Sequence, residues 1–412
     1  LPGRASQRCG MRISVVSYSR RKIGGAEQNL DVVIPEFERR GHALQFIYFH
    51  DRPPDRPPVR TSRETELVDV EQTGPAIALD RIRKFHPDVI NVHGDIAPAF
   101  QRDLIAIAPS AYSVHNYYGT CISGLKTHSF PVIQPCNRVF GPRCLLSYFP
   151  RRCGGLSPIT MVRRYTLERD RLAVMARYEA VITHSSRMEL EYRKHGLNPS
   201  RVFGLPYEVR QTPPPNTTST KASVAERPQL LFAGRMDKLK GGRIFLAALP
   251  RVHLSLGRPL DVVFAGDGPQ RANWERKAAA LQRRYPQIRI RFTGWMNGPH
   301  LTGLFEASHV LVLPSQCPET FAKIGPEAAG SGLPAAAFAV GGIEEWLIPG
   351  LTGALAPGDP PSAAGLAQAI CEVIADPAHH AELSLAASHS VSRFDLNTHV
   401  DRLLALFEQI RS

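Results

Sequence analysis

The sequence predicts an α/β protein made of two consecutive open parallel sheets, each covered by helices. Three observations carry that expectation. Short apolar strand-like runs alternate with amphipathic helical runs along both halves of the chain. At 412 residues the chain exceeds what one hydrophobic core usually holds. A Pro-, Ser- and Thr-rich stretch without periodicity, VRQTPPPNTTSTKASVAER, separates the two series.

The elements follow in order. Residues 1–10 are expected to be a tail, because the start lacks the long apolar stretch of a signal peptide. RISVVSY, beginning after Met11, reads as a strand, AEQNLDVVIPEFERRG as a helix with Pro35 inside it, and ALQFIYF as a strand. IALDRIRKFHP is helical, and DVINVHG and AYSVHNYYG are strands. After an insertion from about Gly119 to Pro158, TLERDRLAVMARY is helical, AVITHSS a strand and MELEYRKHGL a helix with a Gly stop. Residues 11–208 thus form a first domain and 209–227 a linker. QLLFAGR, LDVVFAGDG, IRIRFTGW and HVLVLPS are strands of a second domain spanning 228–392, with GRIFLAALPRVHL, NWERKAAALQRRY and LTGLFEAS as helices between them. The end of the chain, 393–412, carries the amphipathic run LNTHVDRLLALFEQI. Two such domains leave a cleft, and ligands of open parallel sheets bind at the carboxyl ends of strands.

Composition narrows the partners. No window approaches 18 uninterrupted apolar residues, so no transmembrane helix is expected. The formal charge of +13 favours anionic partners: a nucleotide diphosphate, an anionic membrane surface or nucleic acid. The arginines are spread along the chain without a basic-aromatic ladder, which argues against nucleic acid. Of the seven cysteines, Cys136, Cys144 and Cys153 cluster in sequence, with Cys121 upstream. Reduced thiols, a metal site and a local disulfide all stay open, because the gaps match no standard zinc pattern.

The chemistry concentrates at strand ends of the second half. Gly234-Arg235 follows QLLFA, and Lys240-Gly241-Gly242 comes shortly after, so two cations can meet a diphosphate or simply face solvent. Gly294-Trp295 ends another strand. VLVLP leads through Ser315 into PETFAKIGPEAAGSGLP, which sets Glu319 and Glu327 eight positions apart around Pro326. Pro326 suits the first turn of a helix. The N–H groups of Phe321, Ala322 and Lys323 would then face the rim, where phosphate oxygens fit. The two carboxylates repel phosphate and suit the hydroxyls of ribose and sugar, so the pattern points to a sugar nucleotide. In the first half, Gly24-Gly25 opens a helix after the first strand, and His93 and His115 end apolar strands toward the cleft. Structural roles stay open for both histidines.

Together these motifs resemble the retaining glycosyltransferases of family 4, with the GT-B fold, over nearly the whole chain from Met11. Glu319 through Glu327 matches the family's E-x7-E motif, GGIEEWLIPGLTGAL its next loop, Gly234-Arg235 with Lys240-Gly241 its diphosphate loop, and Gly24-Gly25 its first glycine turn. The resemblance implies two Rossmann-like domains facing across a cleft, with the C-terminal helix packing back on the N-terminal domain. It implies a nucleotide-sugar donor, UDP- or GDP-linked, with Glu327 on the ribose, Glu319 with its neighbour Thr320 near the transferred sugar, and Arg235 and Lys240 on the diphosphate. Backbone N–H groups at Gly25, Phe321 and Ala322 would assist, Gly294 and Trp295 would border the base, and His115 would touch donor sugar or acceptor. Asn116 stands where the family often has Asp, and Ala322 where Gly is commonest. No Asp-x-Asp pair occurs, so neither cofactor nor metal is expected, the two cations standing in. The acceptor would be a glycan or lipid-linked molecule in cell-surface polysaccharide or lipopolysaccharide assembly. The protein would be cytoplasmic, and the arginine-rich insertion either meets anionic lipid or is a solvated loop over the acceptor pocket. Rival readings are glycosylation of a soluble small molecule, a sugar-nucleotide epimerase and a non-catalytic binding protein.

Overall fold

A computed structural model of the protein describes residues 10–209, 226–296 and 298–412. Most of the expected tail and linker, 1–9 and 210–225, therefore lies outside the described residues. The strands in chain order are β1 (Arg12–Ser19), β2 (Ala43–His50), β3 (Glu66–Asp69), β4 (Val89–His93), β5 (Ser110–Ser113), β6 (Thr127–His128), β7 (Gln134–Pro135), β8 (Ala180–Thr183) and β9 (Val202–Gly204). The second series comprises β10 (Gln229–Ala233), β11 (Leu260–Ala265), β12 (Ile288–Gly294), β13 (Val310–Leu313), β14 (Ala335–Phe338) and β15 (Gly353–Ala356).

Two parallel sheets result, as the alternation of strands and helices requires. The first has the order β3-β2-β1-β4-β5-β8-β9, the second β12-β11-β10-β13-β14-β15. In each, the strand order reverses beside the opening strand, so crevices form between the loops after β1 and β4 and between those after β10 and β13. Those are the loops that carry Gly24, His93, Arg235 and Glu319. The central strands are buried on both faces, which explains their unbroken apolar runs, such as Val310–Leu313. The first sheet has separate apolar clusters on its two faces, and the second has one large cluster.

The C-terminal helix Leu396–Arg411, capped by Asp395 on the N–H of Thr398, returns to the first domain. It packs on the helix Gly25–Arg39, where Phe407 meets Phe37 with ring centroids 6.0 Å apart. The chain crosses between the two cores twice within a few residues. Leu205 belongs to the first-domain core and Tyr207 and Val209 to the second, while Phe394 belongs to the second and Val400 to the first. The two crossings are bonded to each other: Val209 N–H donates to the Phe394 carbonyl (2.8 Å), and His399 Nδ1 lies 2.9 Å from the Pro206 carbonyl.

The insertion folds against the helix Ser186–Lys194 rather than trailing into solvent. Lys126 pairs with Glu191, Arg187 donates to Asn137, and the Phe140 N–H donates to His195. β6 and β7 form a two-residue antiparallel pair within it.

Candidate active site

The site grows from the loop after β10. Asp237 accepts hydrogen bonds from the N–H groups of Leu239 and Lys240 (2.9 and 3.1 Å), closing a turn that presents Lys240. Gly241 follows at φ 73°, and a Cβ there would lie 1.8 Å from the Pro314 carbonyl oxygen, so only glycine fits between the two loops. Lys240 Nζ then reaches both oxygens of Glu319, at 2.7 and 2.9 Å, and Ser315 Oγ donates to the same carboxylate. Burial alone would lower the Lys240 pKa, but the adjoining Glu319 carboxylate, with Cys317 and Asp237 farther off, more than offsets it, and the ammonium is held above its usual range. Sequence reasoning placed Lys240 on phosphate and Glu319 on sugar; the structure joins them to one another. A carboxylate offers about four lone-pair sites, and the three contacts leave one oxygen position open to a ligand hydroxyl.

The backbone of Glu319 is fixed by a second glycine pair. Its carbonyl accepts from Gly342 N–H at 2.6 Å, and a Cβ on Gly341 would fall 2.2 Å from that oxygen. Phe321 is fully buried and its carbonyl accepts from Trp346 Nε1 at 2.7 Å. Ala322 adopts φ 61°, a left-handed conformation that strains any residue with a Cβ. This is the physical reason why the absence of Gly at this position matters. The helix expected from about Gly325 spans Ile324–Gly330, with Pro326 in its first turn. Among the described residues, nothing accepts from the N–H groups of Phe321, Ala322 or Lys323. Glu327 is half-buried, and desolvation raises its pKa against the opposing pull of Lys323.

Arg235 stands apart, with 73% of its side chain exposed and Asp237 only at 4.0 Å. It is the freer of the two cations. Gly24 behaves differently from expectation: its N–H is taken by the Glu27 carboxylate at 2.9 Å, leaving Gly25 as the donor at that helix start. Gly294 has φ 77°, and beyond it the exposed Trp295 lies under the Arg56 guanidinium, 4.2 Å from the ring centroid. That contact bridges the two domains. So do Ser186, whose N–H and Oγ donate to Glu345 at 2.9 and 2.8 Å, and Tyr117, whose hydroxyl lies 3.5 Å from the Glu319 carbonyl.

A column of rings forms the first-domain wall. His93 Nδ1 lies 2.9 Å from His115 Nε2, the other His115 nitrogen meets the Tyr207 hydroxyl, and His184 stacks on Tyr207 at 3.8 Å between centroids. Tyr207 in turn meets the edge of Phe321. Both nitrogens of His115 are therefore engaged inside the protein. Burial holds all three histidines below their usual pKa, His93 at about 3, with each reinforced by its histidine neighbours. Below the column, buried Glu208 accepts from Asn29 and pairs with Lys323, tying the first helix to the acidic segment.

Asn29, Glu208, Arg56 and His184 escaped sequence reasoning. His184 ends AVITHSS as His93 ends its own strand, a signal that was present. The others contact residues far away in sequence and carry no local signature. The four insertion cysteines are free thiols, and among the described residues no group of three or more His, Cys, Asp or Glu is arranged to hold a metal ion. A cavity of about 230 Å³ lies at the hinge, lined by Pro206, Glu345, Arg393 and His399, and includes none of the rim residues.

Residues 227–376 match the family model described as glycosyl transferases group 1. The chain is similar in fold to the crystal structure of Anabaena HepE in complex with UDP and glucose, with TM-score 0.66, 17% identity, and coverage of 97% of this chain and 100% of that one. The fold is GT-B. Among curated relatives, D-inositol 3-phosphate glycosyltransferase 1 of Catenulispora acidiphila is 33% identical over 183 residues, or 43% of each chain, so this GT-B chain spans less than half of that relative's length in the match. The 2-deoxystreptamine glucosyltransferase of Streptomyces kanamyceticus is 26% identical over 97% of this chain and 99% of its own.

Proposed function

We propose that the protein is a retaining glycosyltransferase of family 4 that moves a sugar from a UDP- or GDP-sugar to an acceptor hydroxyl without a metal. One observation carries the reading: Lys240, Ser315 and Glu319 form one cluster at the carboxyl ends of β10 and β13, with exposed Arg235 and the unengaged N–H groups of residues 321–323 beside it. The leaving diphosphate gains negative charge as the glycosidic bond breaks. On this reading Lys240, held by Glu319, the exposed Arg235 and the free N–H groups would supply donors to that charge, each well-placed donor lowering a barrier by about 2.7–4 kcal/mol. Glu319 keeps one lone-pair site that would take a sugar hydroxyl, and Glu327 would take the ribose hydroxyls. Same-face attack, with the departing phosphate taking the acceptor's proton, accounts for retention without a protein base.

The acceptor reading is a glycan or lipid-linked molecule in cell-surface polysaccharide or lipopolysaccharide assembly, made on the cytoplasmic side. A second reading, a soluble cyclitol-like acceptor, is favoured by the relative named for 2-deoxystreptamine, which aligns over nearly its full length. The test is a panel of UDP- and GDP-sugars with EDTA present, read by nucleoside diphosphate release and by the anomeric configuration of the product. Inverted product removes the retaining assignment, and loss of turnover in EDTA removes metal independence. Conversion of the donor sugar itself would identify an epimerase.

A further inference from the structure

We propose that the face built by residues 125–167 docks on an anionic lipid bilayer. Ten of the nineteen exposed large apolar side chains among the described residues fall in this tenth of the chain. Leu146 and Leu156 are each 80% exposed and Ile159 73%, and apolar exposure clustered in this way, unlike single residues scattered over a surface, marks an interaction site. On the helix Pro158–Met175, Ile159, Val162, Arg163 and Leu167 share one outward face at i, i+3, i+4 and i+8. The opposite face is occupied, with Arg171 paired to Glu168 and Asp95.

Short ties draw the pieces into one surface. The N–H groups of Ser129 and Phe130 donate to the Arg151 carbonyl (3.0 and 3.2 Å), and Arg152 covers the Phe130 ring at 5.1 Å. Arg138 donates to Ser147 in the helix that carries Leu146, and Phe140 meets Tyr165 at 5.1 Å.

Charge selects the occupant. From Leu104 to Leu167 there is no Asp or Glu, while Arg138, Arg143, Arg151, Arg152, Arg163 and Arg164 fall inside that span; its one lysine, Lys126, is buried against Glu191 and adds nothing to the face. A second copy of the same face would repel it. Arginines interleaved with exposed leucine, isoleucine and phenylalanine match an interface with acidic headgroups outside and acyl chains beneath. Tyr117, two residues before the insertion, reaches the Glu319 carbonyl, so the insertion begins beside the candidate site.

Flotation of the full chain with phosphatidylcholine vesicles, with and without 30% phosphatidylglycerol, tests the proposal. Wild type should partition at least about tenfold more strongly onto the anionic vesicles, and less so as salt rises. A variant with Arg151, Arg152, Arg163 and Arg164 changed to Gln should lose about tenfold or more of that partition. Leu146→Ser with Leu156→Ser and Ile159→Ser should lower it independently. Both variants should keep the thermal midpoint and the donor turnover in solution, which separates this surface from the sugar-transfer reading. Equal partition onto neutral vesicles, undiminished binding by either variant, or retention on RNA in place of vesicles would overturn the proposal. So would a dimer, seen by sedimentation velocity, that the serine variant abolishes without any wild-type vesicle binding.

Discussion

Replacing Lys240 by Met separates the two jobs that the Lys240–Glu319 pair performs. The ammonium lies 2.7 and 2.9 Å from the carboxylate oxygens, and the Glu319 side chain is only 11% exposed. Removing one partner of a fully buried pair costs about 3–5 kcal/mol. Lys240 keeps 32% of its side chain in contact with solvent, so water screens part of that, and a loss of about 1–3 kcal/mol is expected. Glu319→Gln on top removes the stranded charge and should restore more than half of the lost stability. On the proposed reading turnover should not recover, because the cation assigned to the leaving diphosphate is still missing. About 2.7–4 kcal/mol of barrier corresponds to roughly a hundred- to a thousandfold in rate. Urea midpoints and nucleoside diphosphate release give both quantities on the same preparations. A double variant no more stable than Lys240→Met would show the pair is not coupled as drawn. Turnover within about twofold of wild type would remove Lys240 from the chemistry.

Other expectations are independent of that pair. Glu327→Ala should weaken nucleoside diphosphate binding about tenfold with little effect on the thermal midpoint, checked by calorimetry; unchanged affinity contradicts its ribose role. His93, His115 and His184 are held neutral below their ordinary pKa, so the unfolded chain binds their protons first as pH falls below about 6.5. Stability contributed by their neutral forms is present above that pH and is lost toward pH 3, by up to about 1.36 kcal/mol per histidine per pH unit. Urea midpoints at pH 7 and pH 5 measure this, and equal midpoints refute a neutral column. Ala322→Gly should relieve about 1–2 kcal/mol of left-handed strain against about 0.5–1 kcal/mol of added chain entropy. A net gain of about 0 to 1.5 kcal/mol is expected in the same assay, and a clear loss would show that Ala322 is not strained.

The two sheets and most of their strands were legible because strands buried on both faces must be apolar throughout, as LLFA, VVFA and VLVL are. β3, β9 and β15 were not, since ELVD, VFG and GALA are too short or too mixed at a sheet edge to stand out. The acidic segment could be read because Pro326 and the spacing of two glutamates act locally. The tie from Glu208 to Asn29 and Lys323 could not, since it joins positions 179 and 115 residues apart. Nor could the occupation of Gly24 N–H by Glu27, because a glycine pair announces an approach to something without saying to what.

The hinge described above is a pair of parallel pins rather than a single thread. Pro206 and Asp395 sit where the chain changes cores, and bonds from Val209 to Phe394 and between His399 and Pro206 hold the two crossings side by side. Two crossings bonded to each other therefore tie the halves along a seam instead of at a single point.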